Sequence, residues 1–169
     1  MQPEYNIARF NSRRSPVFSR RGMIATAHPL ASAAGLELLQ AGGNAVDAAI
    51  GAAAVLGVIE PYQTGLGGDA FALVYEARNR SVAALNASGP APARATVALI
   101  RERGYAEMPR RSPLAWTVPG CVDGWWQMSR RYGRLPWSRL LKPAIEYAHD
   151  GFPVAPGDAA SWALNESVL

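Results

Sequence analysis

The stretch Gly42-Gly43-Asn44-Ala45-Val46-Asp47-Ala48-Ala49-Ile50-Gly51-Ala52-Ala53-Ala54-Val55-Leu56-Gly57-Val58 decides the fold class. Asn44 is a preferred helix N-cap residue. After it comes an apolar, small-residue run holding a single charge, Asp47, which predicts a helix over 45–58. A helix apolar on nearly every side has no face for water and belongs between other layers. Its charge-free part, 48–59, is 12 residues long, short of the ~20 a membrane-spanning helix needs. It reads as a buried helix, and no membrane span is expected.

Upstream, 23–27 is a short β-compatible run that predicts a first strand, ended by His28-Pro29. Pro29 suits a first helical turn, and Leu30, Ala33, Ala34, Leu36, Leu38 and Leu39 predict a helix over 30–40, with Gly42-Gly43 taking the left-handed cap geometry. Downstream, Glu60-Pro61 stops the central helix, and Thr64-Gly-Leu-Gly-Gly-Asp69 is a glycine-rich turn. Strands are predicted at 70–76 and 81–85, joined as a hairpin by Ala77-Arg-Asn-Arg80. A loop follows over 86–95, then a short helix capped by Thr96 and ending at Arg103, and an exposed loop over 104–113 that contains Met108-Pro-Arg-Arg111. Further helices are expected over 121–132 and over 139–149, the latter capped from Leu135-Pro-Trp-Ser138. A last helix begins near Gly157, carries Trp162, Leu164, Val168 and Leu169, and has no stop signal, so the chain is expected to be cut inside a domain. The order strand, helices, hairpin, helices is that of a layered α/β or α+β domain.

Composition removes several classes of function. With 169 residues, 49% hydrophobic and 18% charged, the chain can bury a core; disorder throughout is excluded. Sixteen glycines and 13 prolines indicate many turns and exclude a coiled coil. The single cysteine, Cys121, excludes an internal disulfide. The net charge of +4 sits in a basic arm, 1–21, where Arg9, Arg13, Arg14, Arg20 and Arg21 face only Glu4; the remainder is balanced. Nucleic-acid binding needs a basic face on the folded part, so none is expected. Ser19-Arg20-Arg21 before a partly apolar stretch resembles a twin-arginine export signal, but His28 and Pro29 interrupt the apolar run such a signal needs. A solvated arm and a cytoplasmic chain are expected, with export to the periplasm as the alternative.

The residues alone supply no complete catalytic apparatus. There is no Cys-x-x-Cys, and His28 and His149 lie 121 residues apart, so neither a metal nor a cofactor is expected. Cys121 stands at a helix start, where the dipole lowers a thiol pKa, but the stronger reading is a small buried residue. Thr64-Gly65-Leu66-Gly67-Gly68-Asp69 lacks the Lys-Ser/Thr of a phosphate loop and precedes a strand instead of following one. Its glycines are read as allowing positive φ and close approach to a neighbouring layer, with pocket lining as the second reading. No Gly-x-Ser-x-Gly elbow is present, and Trp125-Trp126 reads as packing.

The order of the motifs is nevertheless familiar. Gly22-Met-Ile-Ala-Thr-Ala-His-Pro-Leu-Ala-Ser-Ala-Ala-Gly35 and Leu39-Gln-Ala-Gly-Gly-Asn-Ala-Val-Asp-Ala-Ala49 resemble the start of the large subunit of γ-glutamyltranspeptidases, also called γ-glutamyltransferases or glutathione hydrolases. Gly57-Val-Ile-Glu-Pro61, Gly65-Leu-Gly-Gly-Asp-Ala-Phe71, Val118-Pro-Gly120, Tyr132-Gly-Arg-Leu-Pro-Trp137, Pro143-Ala-Ile145 and Asp150-Gly-Phe-Pro-Val154 follow in family order. The resemblance covers 22–156 and makes 22–169 the N-terminal part of a large subunit. It implies an α+β fold, the four-layer αββα sandwich of N-terminal-nucleophile hydrolases, with only its N-terminal portion present. It also implies a self-cleaving precursor whose new N-terminal threonine is the nucleophile, with its own α-amine as base and with water or an amine resolving the acyl-enzyme. That threonine is expected downstream of this chain, so no catalytic residue lies in it and it is expected to be inactive alone. The implied partners are a small γ-glutamyl or other amide substrate and the small subunit of the same precursor; a homo-oligomer is admitted.

One departure bears on substrate. γ-Glutamyl enzymes of the family place an Arg-Glu before the Ala-Pro of the loop that here reads Leu85-Asn-Ala-Ser-Gly-Pro-Ala-Pro92, and the arginine clamps the substrate α-carboxylate. Ser88 and Gly89 occupy those positions, and a serine cannot form a bidentate pair with a carboxylate. Arg94 is the nearest substitute, so Ser88, Gly89 and Arg94 are the candidate substrate-binding residues. The Asn-x-Ser-Gly form resembles a divergent branch that includes glutathione-hydrolase-like and amidohydrolase members. An acylase of the same fold and a truncated non-catalytic protein are the rival functions.

Overall fold

The computed structural model describes residues 16–109 and 112–166. Six α-helices and one hairpin follow in the order α1 (Pro29–Gln40), α2 (Ala45–Ile59), β1 (Ala70–Glu76), β2 (Ser81–Ala87), α3 (Val97–Glu102), α4 (Cys121–Tyr132), α5 (Trp137–Asp150) and α6 (Pro156–Asn165). Arg9, Arg13 and Arg14 of the basic arm, Arg110 and Arg111 of the exposed loop, and Val168 and Leu169 lie outside the described residues.

α2 is the centre of the core because it is built to be approached closely. Val46, Ala48, Ile50, Ala52, Ala54, Val55 and Ile59 are buried along it, packed with Leu38 of α1, Leu140 and Ala144 of α5, and Trp125 of α4. Gly51 makes this fit possible: a Cβ there would meet the Leu38 side chain and lie 3.1 Å from the Leu140 carbonyl oxygen. Each large apolar side chain withdrawn from water stabilises the fold by about 1.5–3 kcal/mol.

The N-terminus of α2 forms a clasp. The Asn44 side chain accepts from the amides of Val46 (2.9 Å) and Asp47 (3.1 Å), while Asp47 Oδ2 accepts from the Asn44 amide at 2.9 Å, a reciprocal capping box. Asp47 is fully buried. Both of its oxygens also accept from the Arg134 amide, at 3.2 and 3.0 Å, and Asn44 Nδ2 donates to the Tyr132 carbonyl at 2.5 Å. Gly133 lies close against Asp47, where a Cβ would stand 2.9 Å from Oδ1. The Gly-Gly-Asn-Ala-Val-Asp string thus pins the α4–α5 turn to the core. Gly42, at φ 93°, makes the left-handed turn between α1 and this cap.

The hairpin is antiparallel with Ala70 opposite Ala87 and Glu76 opposite Ser81. Alternation puts Ala70, Ala72, Val74, Ala83, Leu85 and Ala87 on the half-buried face. α4 packs against both strands, with Gly124 set where a Cβ would overlap the Ala87 side chain. The opposite face, Phe71, Leu73, Tyr75 and Val82, is exposed, Leu73 to 78%.

Three local expectations fail. Residues 23–27 form no strand, because a strand needs a ladder partner and the only sheet among the described residues is the hairpin. Ser138 does not cap α5; Pro136 takes the N-cap position, no side chain caps it, and Ser138 lies inside the helix. β2 runs two residues further than expected, to Ala87. No helix among the described residues is long and apolar enough to cross a membrane.

Candidate functional site

Antiparallel pairing brings the start of β1 and the end of β2 to one end of the hairpin, where three loops meet. The glycine-rich loop 64–69 enters β1, the loop 88–96 leaves β2, and the segment 116–120 enters α4. The Gly68 carbonyl accepts from the amides of Gly120 (3.2 Å) and Cys121 (2.9 Å), and the Pro90 carbonyl accepts from Val118 at 3.0 Å. Thr117 Oγ1 donates to Asp69 Oδ1 at 3.1 Å. Glycine is required at two points of this junction. A Cβ on Gly89 would overlap the Val118 carbonyl oxygen, and one on Gly120 would overlap the Ala87 carbonyl oxygen.

Ser88 and Gly89 therefore lie in the junction, next to the segment that carries Thr117 and Val118. Ser88 is exposed, and its amide donates to Asn86 Oδ1 at 3.0 Å. Arg94 is not brought to them by any polar contact. It lies on the exposed turn in which the Ala95 amide donates to the Pro92 carbonyl, and its guanidinium has no ion pair among the described residues.

The glycine-rich loop behaves differently from expectation. Its glycines do not have positive φ, and Gly65 and Gly67 have open space where a Cβ would stand. What the loop supplies is the Gly68 carbonyl that anchors α4 and one wall of an open depression of about 470 Å³ shared with Pro61 and Tyr62. Cys121 also departs from the dipole argument. It is buried at the first residue of α4, and burial, with the Asp69 charge adding to it, pushes its thiol above the ordinary value.

A polar cluster that sequence spacing could not reveal shares Tyr62 with this depression. His28 caps α1 through Nδ1, which accepts from the Leu30 amide at 3.1 Å. An amide can only donate, so Nε2 carries the proton and donates to Asp158 Oδ2 at 3.0 Å. Tyr62 Oη donates to Asp158 Oδ1 at 3.2 Å. Both imidazole nitrogens are thus committed, and His28 has none left to take a proton from a nucleophile. His28 and Asp158 are 130 residues apart, and only the fold joins them. Among the described residues no three His, Cys, Asp or Glu side chains gather as a metal would need. The junction offers hydroxyls, a carboxylate and fixed backbone groups.

Comparison with known proteins accounts for this arrangement. The profile of the gamma-glutamyltranspeptidase family matches residues 31–169. The glutathione hydrolase-like YwrD proenzyme of Bacillus subtilis is 41% identical over 154 residues, which is 90% of this chain and 29% of that protein. Among solved structures, the Helicobacter pylori gamma-glutamyltranspeptidase superposes with a TM-score of 0.82 at 31% identity, over 90% of this chain and 44% of that one. The cephalosporin acylase from Bacillus halodurans does so with a TM-score of 0.79 at 42% identity, over 94% of this chain and 31% of that one. The chain spans under a third of the length of the curated relative, and its α+β architecture is part of the N-terminal-nucleophile hydrolase fold. It belongs to the γ-glutamyltranspeptidase family.

Proposed function

We propose that this chain is the N-terminal part of the large subunit of a self-processing proenzyme that cleaves a small γ-glutamyl-type amide and passes the acyl group to water or an amine. The observation that carries this reading is the family match over 31–169, joined to a relative described as a glutathione hydrolase-like proenzyme. In this reading the threonine nucleophile and its α-amine base come from the later part of the precursor. The present residues contribute the frame: the clasp at Asn44 and Asp47 holds the helical layer, and the loop junction presents Ser88 and Gly89 toward substrate. Isolated from the later part, the chain is inactive.

A second reading, an acylase acting on an amide without an α-carboxylate, is favoured by one specific feature. The loop carries Ser88-Gly89 where the resemblance places Arg-Glu, and Arg94 stands apart on an exposed turn. A neutral hydroxyl cannot replace a guanidinium toward a carboxylate. The 42% identity with a cephalosporin acylase points the same way. Full-length protein, once its self-cleavage is confirmed as two bands on a denaturing gel, is assayed on a γ-glutamyl anilide and on N-acyl anilides lacking the α-carboxylate. Release from the γ-glutamyl compound supports the first reading. Release only from the others replaces it with the second, and no self-cleavage defeats both.

A further inference from the structure

The three segments that meet at the end of the hairpin, 64–69, 88–96 and 116–120, hold two charged side chains, Asp69 and Arg94. Arg94 makes no polar contact with the junction among the described residues, so Asp69 sets its sign. The β-ladder ends with Ala70 opposite Ala87, and one more step of the same register sets Asp69 opposite Ser88. The two positions are also joined across the junction. The Gly68 carbonyl accepts from the Gly120 amide, and the place a Gly120 Cβ would take is 3.1 Å from the Gly89 nitrogen. Asp69 is exposed and lines the depression of about 470 Å³ beside the glycine-rich loop. Its Oδ1 accepts from Thr117 Oγ1, the one hydrogen bond its side chain makes among the described residues, and no cation pairs with it there. A carboxylate held by a single neutral donor keeps most of its accepting capacity for another group. Its charge is felt at Cys121, where it adds to burial in pushing the thiol up.

We propose that Asp69 determines substrate specificity: its carboxylate receives an ammonium group on the acyl part of the substrate and excludes a carboxylate from the same place. The proposal rests on the reading of the chain as part of an amide-cleaving proenzyme, and it names the substrate class, an acyl group that carries a primary amine and no carboxylate. Ser88 offers a neutral hydroxyl where the resemblance places a guanidinium, so nothing at the junction compensates a second negative charge. Asp69, one register step beyond the ladder, offers a fixed negative charge whose Oδ2 has no partner among the described residues, and an ammonium donates to it in a charge-assisted hydrogen bond. Residues opposite each other in an antiparallel pair stand about 5 Å apart, so an ammonium held by Asp69 is also within reach of the Ser88 hydroxyl. Attraction of the amine and repulsion of a carboxylate come from one side chain, and selectivity is the difference between the two.

Four anilides test the proposal on the full-length, self-cleaved protein. The γ-glutamyl compound carries an amine and an α-carboxylate, the 4-aminobutyryl compound only the amine, the glutaryl compound only the carboxylate, and the butyryl compound neither. In the parent, kcat/KM should be highest on 4-aminobutyryl anilide, about 10-fold above butyryl anilide, with glutaryl anilide the poorest. Asp69→Asn keeps an acceptor for Thr117 and removes the charge. It should lower the 4-aminobutyryl to butyryl ratio about 10-fold, mainly through KM, and raise the glutaryl to butyryl ratio. A parent that prefers the glutaryl or γ-glutamyl compound overturns the proposal and leaves the enzymatic reading standing. A ratio unchanged in Asp69→Asn also overturns it, because a residue that only holds the loop moves all four substrates together. If the variant does not self-cleave, the parent carries the test: about 1 M salt screens the charge pair and should shrink the 4-aminobutyryl to butyryl ratio about threefold, and a salt-independent ratio overturns the proposal. Release from none of the four defeats the enzymatic reading alone, and calorimetry on the precursor then decides the site. Tighter binding of 4-aminobutyramide than of butyramide, lost in Asp69→Asn, sustains the proposal, and equal or absent binding of the two overturns it.

Discussion

The clasp at the start of α2 and the loop junction at the end of the hairpin do the same job by opposite means. Each fastens segments far apart in sequence: Asp47 to Arg134 in the first, Gly68 to Cys121 in the second. The clasp uses side chains, a fully buried carboxylate and an amide, on backbone groups. The junction uses backbone on backbone, and its glycines matter through the side chains they lack. A side-chain clasp concentrates its energy in one residue and stiffens a core. A backbone junction spreads its energy over several ordinary hydrogen bonds and leaves the Ser88 side chain exposed.

The largest effect should come from breaking the clasp. Asp47→Ala removes the acceptor for the amides of Asn44 and Arg134 and leaves two donors unpaired in the core, at about 1–3 kcal/mol each. A loss of about 3–5 kcal/mol is expected in urea unfolding, a large share of the 5–15 kcal/mol typical of a domain. A loss under about 1 kcal/mol would show that water enters the site and that the clasp is not what holds the α4–α5 turn.

The contrast also explains what could be read from the sequence. The bounds of α1, α2 and α4 and the caps at Asn44 and Thr96 were legible because cap chemistry and periodicity are local. Asp47 was read only as the single charge of an apolar helix: its capping-box partner, Asn44, is three residues away, but its second partner, Arg134, is 87 residues away. The junction was misread for the same reason. Gly65, Gly67 and Gly68 look like the residues under conformational demand, yet Gly89 and Gly120 carry the close contacts. Local sequence cannot say which glycine faces a distant carbonyl. The non-local pairing of His28 with Asp158 was invisible on equal terms, and residues 23–27 read as a strand because propensity does not supply a partner. The candidate site came from resemblance, and the residues alone would not have singled out Ser88.

A middle-sized effect separates the two kinds of glycine. Gly89→Ala forces a methyl group into the Val118 carbonyl, an overpacking that costs about 1–3 kcal/mol. Gly67→Ala enters open space and should stay within about 0.5 kcal/mol. Backbone amide spectra should show the Gly89→Ala shifts gathered at 65–70, 86–92 and 116–121, with α1 and α2 unchanged. Equal costs for the two substitutions would mean that the junction is loose and that Gly89 is tolerated, not required.

The smallest effect probes the seam where the junction meets the core, at Cys121. Its thiol is buried, and burial together with the Asp69 carboxylate pushes its pKa above the ordinary thiol value. The unfolded chain then loses the thiol proton at lower pH than the folded one. The contribution to stability is fully present below the unfolded thiol value, about 8.5, and declines as pH rises above it toward the folded value, because the unfolded state binds fewer protons there. Two readouts follow. At pH 8.5 iodoacetamide should label Cys121 far more slowly in the native chain than in urea, and the loss of stability between pH 8 and pH 10 should be smaller in Cys121→Ala than in the parent. Native labelling as fast as unfolded labelling would place the thiol in solvent, and the helix dipole at the start of α4 would then govern it instead of burial.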